Sequence, residues 1–351
     1  MSECHASVWE SVEDKSQIPG RSRLRLLVRW LTRYPVLVWG FLRAPRPDLV
    51  LIGYPGLIDV IVLAPFASLR RVPVVWDMFM SLYDTVVLDR RIVTPRHPLA
   101  RVLHWLEGCA IRHADLIFLD TEAHARRIER LYGLRAGQCR SVWVGAEVRQ
   151  FRAEPRSRVR TGSDQAPLRV LFYGQFIPLH GIDTIIMAAR LLQGEPIEWI
   201  LIGRGQEAHA IQGMLDECPL PKVRRIEWVD YSALRDWMQE ADIVLGIFGT
   251  SDKAASVIPN KVFQTVAAGR PLITRDSPAI RELLENEPPC VYLVPPAQPE
   301  ALARAIREHA SCSDRFAPAR CHAKLLDRID ARAVAQQFMR IVLDHLAAKV
   351  A

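Results

Sequence analysis

Short apolar runs alternate with amphipathic segments along almost the whole chain, in two series, and this alternation restricts the fold more than any other feature. The first series places strands at Leu49 to Tyr54, Pro73 to Trp76, Asp115 to Leu119 and Ser141 to Val144, with helical patterns such as Leu99 to Arg112 and Glu122 to Tyr132 between them. The second runs strand Leu168 to Tyr173, helix Gly181 to Leu192, strand Glu198 to Ile202, helix Gln206 to Leu215, strand Arg225 to Val229, helix Ser232 to Ala241 and strand Asp242 to Phe248. Strands separated by helices predict parallel sheets covered on both faces, so the fold class is α/β with two doubly wound domains. At 351 residues, half of them hydrophobic, the chain can fill two cores of ordinary size. Between Glu147 and Ala166 the pattern lapses into an Arg- and Ser-rich polar stretch with Pro155 and Gly162, which reads as a linker. The expected division is 1–150, a linker at 151–166, a second domain at 167–320 and a closing segment at 321–351. In that last segment Val334, Phe338, Val342 and Leu346 share one helical stripe.

Function in doubly wound sheets gathers at the carboxyl ends of the strands. In the first half these ends carry Tyr54, Pro55 and Asp59, then Asp77, Ser81, Tyr83 and Asp84, then Asp120, Thr121, Glu122 and His124. Each also suits an ordinary role as a helix cap or a buried hydrogen-bonding group, and only their shared location marks them out. In the second half the first two strands run directly into Gly174 and Gly203, where the lack of a side chain lets a ligand approach the backbone. Arg204 is a candidate phosphate partner and equally a solvated turn residue; His180 suits a helix-capping role as well as a ligand role.

The run from Ser256 to Asp276 reads as loop, short helix and strand. Pro259 suits the first helical position and Gly269 the left-handed residue that ends the helix before a strand at Pro271 to Thr274. Val262, Phe263, Val266 and Ala267 fall on one side, Asn260, Lys261 and Gln264 on the other. The N–H groups at the start of such a helix, with Lys261, suit an anion such as phosphate.

The net charge of +7 makes an acidic partner plausible, whether a phosphorylated small molecule, an anionic lipid surface or nucleic acid. Dispersed basic residues and the lack of a recognition module argue against nucleic acid. Seven cysteines are scattered singly, as in a reduced cytoplasmic protein, and no carboxylate cluster implies a metal. The first twenty residues show no signal-peptide pattern. Arg21, Arg25, Arg29 and Arg33 recur every fourth residue opposite Leu24, Leu27, Val28 and Leu31, with Trp39 and Phe41 following. This basic amphipathic pattern suits either a domain helix or docking on the inner face of an anionic membrane.

Three runs in order, FYGQFIPLHGIDTIIMAARLL (172 to 192), LIGRG (201 to 205) and IPNKVFQTVAAGRPLITRDSPAIREL (258 to 283), resemble the donor-binding half of glycosyltransferase family 4, retaining enzymes of the GT-B fold. VWVGAEVRQF (142 to 151) is similar to the family's exit from the first domain, and DMFMSLYDT (77 to 85) with DTEAH (120 to 124) resembles a bacterial subgroup. The resemblance implies two Rossmann-like domains facing a cleft and transfer of a sugar from a nucleoside diphosphate sugar to a saccharide or lipid-linked acceptor. No cofactor beyond that substrate is expected. It assigns donor binding to Gly174, Gln175, Gly203, Arg204, Val229, Ile258, Pro259, Asn260 and Gln264, with Gln264 on the ribose hydroxyls. Lys261, His180 and Asp77 are the catalytic candidates, and Tyr54, Ser81, Tyr83 and Asp120 the acceptor-side candidates.

This chain departs from the family at several points. Gln175 and His180 stand where the family has Arg and Lys, and Ser256 and Gln264 where it has paired glutamates; Lys261 and Arg204 are expected to restore the lost positive charge. The family also opens with a strand before a segment like ECHASVWESVEDKS (3 to 16), so the first domain is expected to lack its first strand. A non-catalytic nucleotide-sugar-binding protein is the competing expectation.

Overall fold

The computed structural model describes residues 20–152, 167–284, 290–312 and 322–350, with backbone alone at 20–31, 349 and 350. The segment 3–16 and most of the expected linker lie outside the described residues. The first half runs α1 (Gly20–Arg43), β1 (Val50–Ile52), α2 (Leu57–Leu69), β2 (Val74–Phe79), α3 (Pro98–His113), β3 (Leu116–Leu119), α4 (Glu122–Tyr132), β4 (Cys139–Ser141) and α5 (Val148–Phe151). The second runs β5 (Leu168–Tyr173), α6 (Ile182–Leu191), β6 (Ile197–Ile202), α7 (Ala208–Glu217), β7 (Val223–Ile226), α8 (Tyr231–Glu240), β8 (Ile243–Leu245), α9 (Asp252–Ser256), α10 (Asn260–Ala267), β9 (Leu272–Arg275), α11 (Pro278–Leu283), β10 (Val291–Val294) and α12 (Pro299–Ser311). Helices α13 (Leu326–Ile329) and α14 (Ala331–Val350) follow. The strands form a four-stranded sheet in the order β1-β2-β3-β4 and a six-stranded sheet in the order β10-β9-β8-β5-β6-β7. By internal contacts the chain divides into two compact units, 1–79 with 102–118 and 80–101 with 119–351.

The six-stranded sheet shows how a strand of period two is buried on both sides. Along β5, Leu168, Val170 and Phe172 face one core with Ile182, Ile185 and Ile186 of α6. The intervening Leu171 and Tyr173 face the other core with Val262, Phe263 and Val266 of α10. Each such side chain contributes roughly 1.5–3 kcal/mol by leaving water, which is why both faces of the strand read as apolar. The strand order reverses between β5 and β8, and in sheets of this kind ligands bind beyond the carboxyl ends at that point. The loops after β5 and β8 are tied together there: Phe248 N–H donates to the His180 carbonyl (2.9 Å) and Gly249 N–H to that of Leu179 (3.2 Å).

Several boundaries differ from the sequence reading. The fourth strand is Cys139–Ser141 rather than Ser141 to Val144. The chain leaves the sheet after Val142 N–H bonds Leu119 (2.9 Å), and Gly145 follows with a left-handed backbone (φ 72°). The expected linker starts too early, because 148–151 is helical and Phe151 is a fully buried core side chain. The eighth strand of the sequence reading stops at Leu245, since the Thr274 hydroxyl, at 3.2 Å, takes the Ile247 N–H in place of a backbone carbonyl. Pro259 caps α10 rather than occupying its first turn. Gly269 does adopt the left-handed conformation (φ 60°) that ends this helix, with Arg270 N–H bonded back to Thr265 (3.1 Å).

Candidate functional site

The loop after β5 meets the Lys261 side chain of α10 in a backbone conformation that favours glycine. A Cβ at Gly174 (φ +142°) would lie 2.9 Å from Lys261 Nζ and 3.1 Å from His180 Cε1. One at Gly203 (φ +156°) would meet the Gly174 carbonyl at 1.9 Å. The two glycine loops are stacked by Gly174 N–H to Ile202 and Phe176 N–H to Arg204, both 2.9 Å.

Lys261 is the polar centre of this arrangement. The amphipathic pattern placed it on the open side of α10, yet it is only 5% exposed. Its ammonium rests 3.8 Å from the centroid of the Phe172 ring and has no hydrogen-bond partner among the described residues. Burial pushes its pKa well below the ordinary lysine value, with no carboxylate opposing the shift. A buried cation without a counter-charge costs several kcal/mol, and a cation–π contact returns only about 0.5–2. An anion beside Gly174 would supply the missing charge, aided by first-turn N–H groups of α10 that have no helical carbonyl to bond.

A second cation arrives from a part of the chain that sequence reasoning passed over. Arg90 Nη2 donates to Gln175 Oε1 (3.1 Å), and its backbone carbonyl accepts from Gln206 Nε2 (3.0 Å). Its Nε is buried with no hydrogen-bond partner among the described residues. Arg90 follows a π-helical turn, Asp84–Asp89, held by three anchors. Arg127 donates to both carboxylate oxygens of Asp84 (2.7 and 3.1 Å), Ser251 Oγ donates to Asp89 (2.6 Å), and Lys253 Nζ donates to Thr85 Oγ1. No local pattern marks Arg90, because its position depends on contacts with residues 85 and 116 places away.

The pKa of His180 is held well below the ordinary imidazole value, first by burial and then by Lys261. Its Nδ1 bonds the Gln175 carbonyl. A carbonyl only accepts, so the proton of the neutral ring is on Nδ1 and Nε2 is left an acceptor. The ring therefore offers a phosphate oxygen no N–H from Nε2. Arg204, expected to add charge here, is exposed and stacks on Trp228 (5.1 Å).

Ile258 is buried, Pro259 caps α10, Asn260 is exposed at its first position and Val229 packs at the core edge beside them. Gln264 is engaged at both ends. Tyr173 OH donates to its Oε1 (2.8 Å), its Nε2 donates to Tyr231 OH (3.1 Å), and Tyr231 OH donates to Glu147 Oε2 (3.0 Å).

Asp77 is in β2, its carboxyl pKa raised by burial. Tyr54 is exposed after β1, edge-on to Phe79 at 5.6 Å. Ser81 is fully buried and its Oγ accepts from Asp84 N–H (2.9 Å), which commits it to shaping the turn that carries Arg90. Tyr83 immediately precedes that turn. Asp120 Oδ1 accepts from Nδ1 of the fully buried His124 (2.6 Å). Among the described residues no group of three or more His, Cys, Asp or Glu could hold a metal ion, and no helix is long and apolar enough to cross a membrane.

Comparison with known proteins bears on both halves. The family profile "Glycosyl transferases group 1" matches residues 167–311, and "Glycosyl transferase 4-like domain" matches residues 4–145. No curated protein sequence matches significantly. Among solved structures, HepE of Anabaena in complex with UDP and glucose aligns at 19% identity and a TM-score of 0.65, over 88% of this chain and 81% of that one. Sucrose-phosphate synthase of Thermosynechococcus elongatus aligns at 17% and 0.68, over 95% and 81%. The lipopolysaccharide outer core galactosyltransferase WaaB aligns at 13% and 0.61, over 91% and 81%.

Proposed function

The chain belongs to the GT-B glycosyltransferases, and from that premise we propose that it transfers a sugar, with retention of configuration, from a nucleoside diphosphate sugar to a saccharide or lipid-linked acceptor. The observation that carries the donor assignment is the partnerless ammonium of Lys261 beside Gly174. As the glycosidic bond to the diphosphate breaks, negative charge grows on the leaving phosphate oxygen. Lys261, Arg90 and the first N–H groups of α10 are fixed in place before that charge develops, so they stabilise it without reorganising. His180 is neutral, with Nε2 left as an acceptor, so it adds neither charge nor an N–H from that nitrogen. The UDP and glucose seen with HepE support UDP as the first donor nucleotide to try. Thermal denaturation with UDP, GDP and ADP tests the assignment: a nucleotide that binds the folded state raises the midpoint. Lys261→Met should abolish the rise, and an undiminished rise in that variant would remove Lys261 from the site.

Helix α1 supports docking on the cytoplasmic face of an anionic membrane. Val36 and Trp39 are 62% and 57% exposed, Arg43 stacks over Trp39 at 4.3 Å, and Arg33 is exposed. An amphipathic indole beside arginines suits a headgroup layer. Replacing Arg25, Arg29 and Arg33 by Glu should reduce pelleting with anionic vesicles, and unchanged pelleting would rule the docking out.

A further inference from the structure

The chain of groups Tyr173, Gln264, Tyr231 and Glu147 has a proton order dictated from one end. The Glu147 carboxylate only accepts, so the single hydroxyl proton of Tyr231 points to it at 3.0 Å. The Tyr231 oxygen must then accept from Gln264, which sets the amide with Nε2 toward Tyr231 (3.1 Å) and Oε1 toward Tyr173 OH (2.8 Å). A neutral amide fits this order. A carboxylate at position 264 would leave acceptors on both sides of a hydroxyl that has one proton to give.

Two groups are then unused among the described residues. Gln264 Nε2 has a second hydrogen and Glu147 has a second oxygen, Oε1; neither makes a hydrogen bond among the described residues. Both flank the same Tyr231 oxygen, and Glu147 and Tyr231 are exposed. Gln264 is one helical turn from Lys261 on α10. A donor and an acceptor held side by side match a pair of neighbouring hydroxyls, one accepting from the amide and one donating to the carboxylate.

We propose that Glu147 and Gln264 together hold a hydroxyl pair of the nucleoside diphosphate sugar, with Tyr231 as the positioning residue that fixes the orientation of both. The proposal rests on the donor assignment above and adds Glu147, which lies in the segment just before α5, to the donor site.

Titration calorimetry on the full chain separates the two readings. The probes are inorganic pyrophosphate and whichever of UDP, GDP and ADP binds most tightly. Q264E should weaken nucleotide binding about tenfold, and E147Q should weaken it too. The double variant E147Q/Q264E reverses the proton order while satisfying every group, so it should recover to within about threefold of the wild type. Pyrophosphate, which lacks hydroxyls, should bind all four proteins equally. Y231F, which keeps the ring and removes the relay oxygen, should weaken the nucleotide and spare pyrophosphate; it supplies the test if a charge variant fails to fold. Tighter nucleotide binding by Q264E, a double variant no better than Q264E, or a Y231F protein that binds nucleotide like the wild type would overturn the proposal. Wild-type protein that binds neither pyrophosphate nor any nucleotide would instead sink the donor assignment.

Discussion

Two lysines eight positions apart, Lys253 in α9 and Lys261 in α10, are each 5% exposed, and their surroundings are opposite. Lys253 donates to Thr85, and the nearby carboxylates of Asp89 and Asp84 counter part of the downward pull of burial on its pKa. Lys261 has an aromatic face and, among the described residues, no hydrogen-bond partner or carboxylate. A buried cation with counter-charges holds structure together. One without them stores an electrostatic cost that an incoming anion removes, so the same residue type at the same burial reads as scaffold in one helix and as ligand site in the next.

The largest expected effect breaks that comparison in both directions. Lys261→Met should lower sugar transfer at least about a hundredfold, the scale of losing one preorganised donor to developing charge, while the melting temperature stays level or rises. Lys253→Met should do the reverse. Losing one member of a buried charge cluster costs up to about 3–5 kcal/mol, and because Arg127 remains on Asp84 a fall of about 5–10 °C is expected. Calorimetric scans beside initial rates give both readings, and the comparison fails if the two variants behave alike.

Next in size is Arg90→Gln, which removes a charged donor of about 1.5–3 kcal/mol and should weaken nucleotide diphosphate binding by roughly tenfold or more. Unaltered affinity in titration would return Arg90 to a purely structural role on Gln175.

A smaller effect sharpens the Lys261 side of the comparison. Its pKa is depressed in the free protein and should be raised by a bound diphosphate, so between those two values binding takes up a proton and affinity falls as pH rises. Above about pH 7.5 the diphosphate itself has finished titrating, so the remaining slope belongs to the protein. The slope, and the dependence of binding heat on buffer ionisation, should vanish in Lys261→Met.

The smallest concerns His180, neutral in the fold with its pKa lowered. Below the ordinary value of about 6.5 the unfolded chain binds a proton that the folded one refuses. Its contribution to stability is therefore complete above pH 6.5 and lost as pH falls from there toward the folded value. His180→Gln should flatten the melting temperature between pH 6.5 and 5 relative to the wild type; an identical slope would show that other groups set it.

Much of this was legible beforehand. Leu168–Tyr173 matches the expected strand at both ends, and Gly174 and Gly203 end strands as read, with the close approach that their lack of Cβ allows. Periodicity failed where a side chain's partner lies far along the chain. Lys261 fell on the polar stripe of α10 but is buried, because the β5 loop folds over that stripe. Arg204, read as a phosphate partner or equally a solvated turn residue, is exposed and stacks on Trp228. Arg90 carried no local signature at all.

What the amino-acid order determined alone is the α/β alternation, the two-sided burial of the second-half strands and the glycine and proline positions that begin and end α10, because periods of 2 and 3.6 and the φ limits of single residues act over a few neighbours. Only the tertiary structure decided which lysine lacks a counter-charge, which arginine reaches Gln175 and which way the Gln264 amide points. Those outcomes depend on charge compensation and hydrogen-bond direction between groups 33 to 168 residues apart in the chain, and on one carboxylate, Glu147, that sets the direction of every proton behind it.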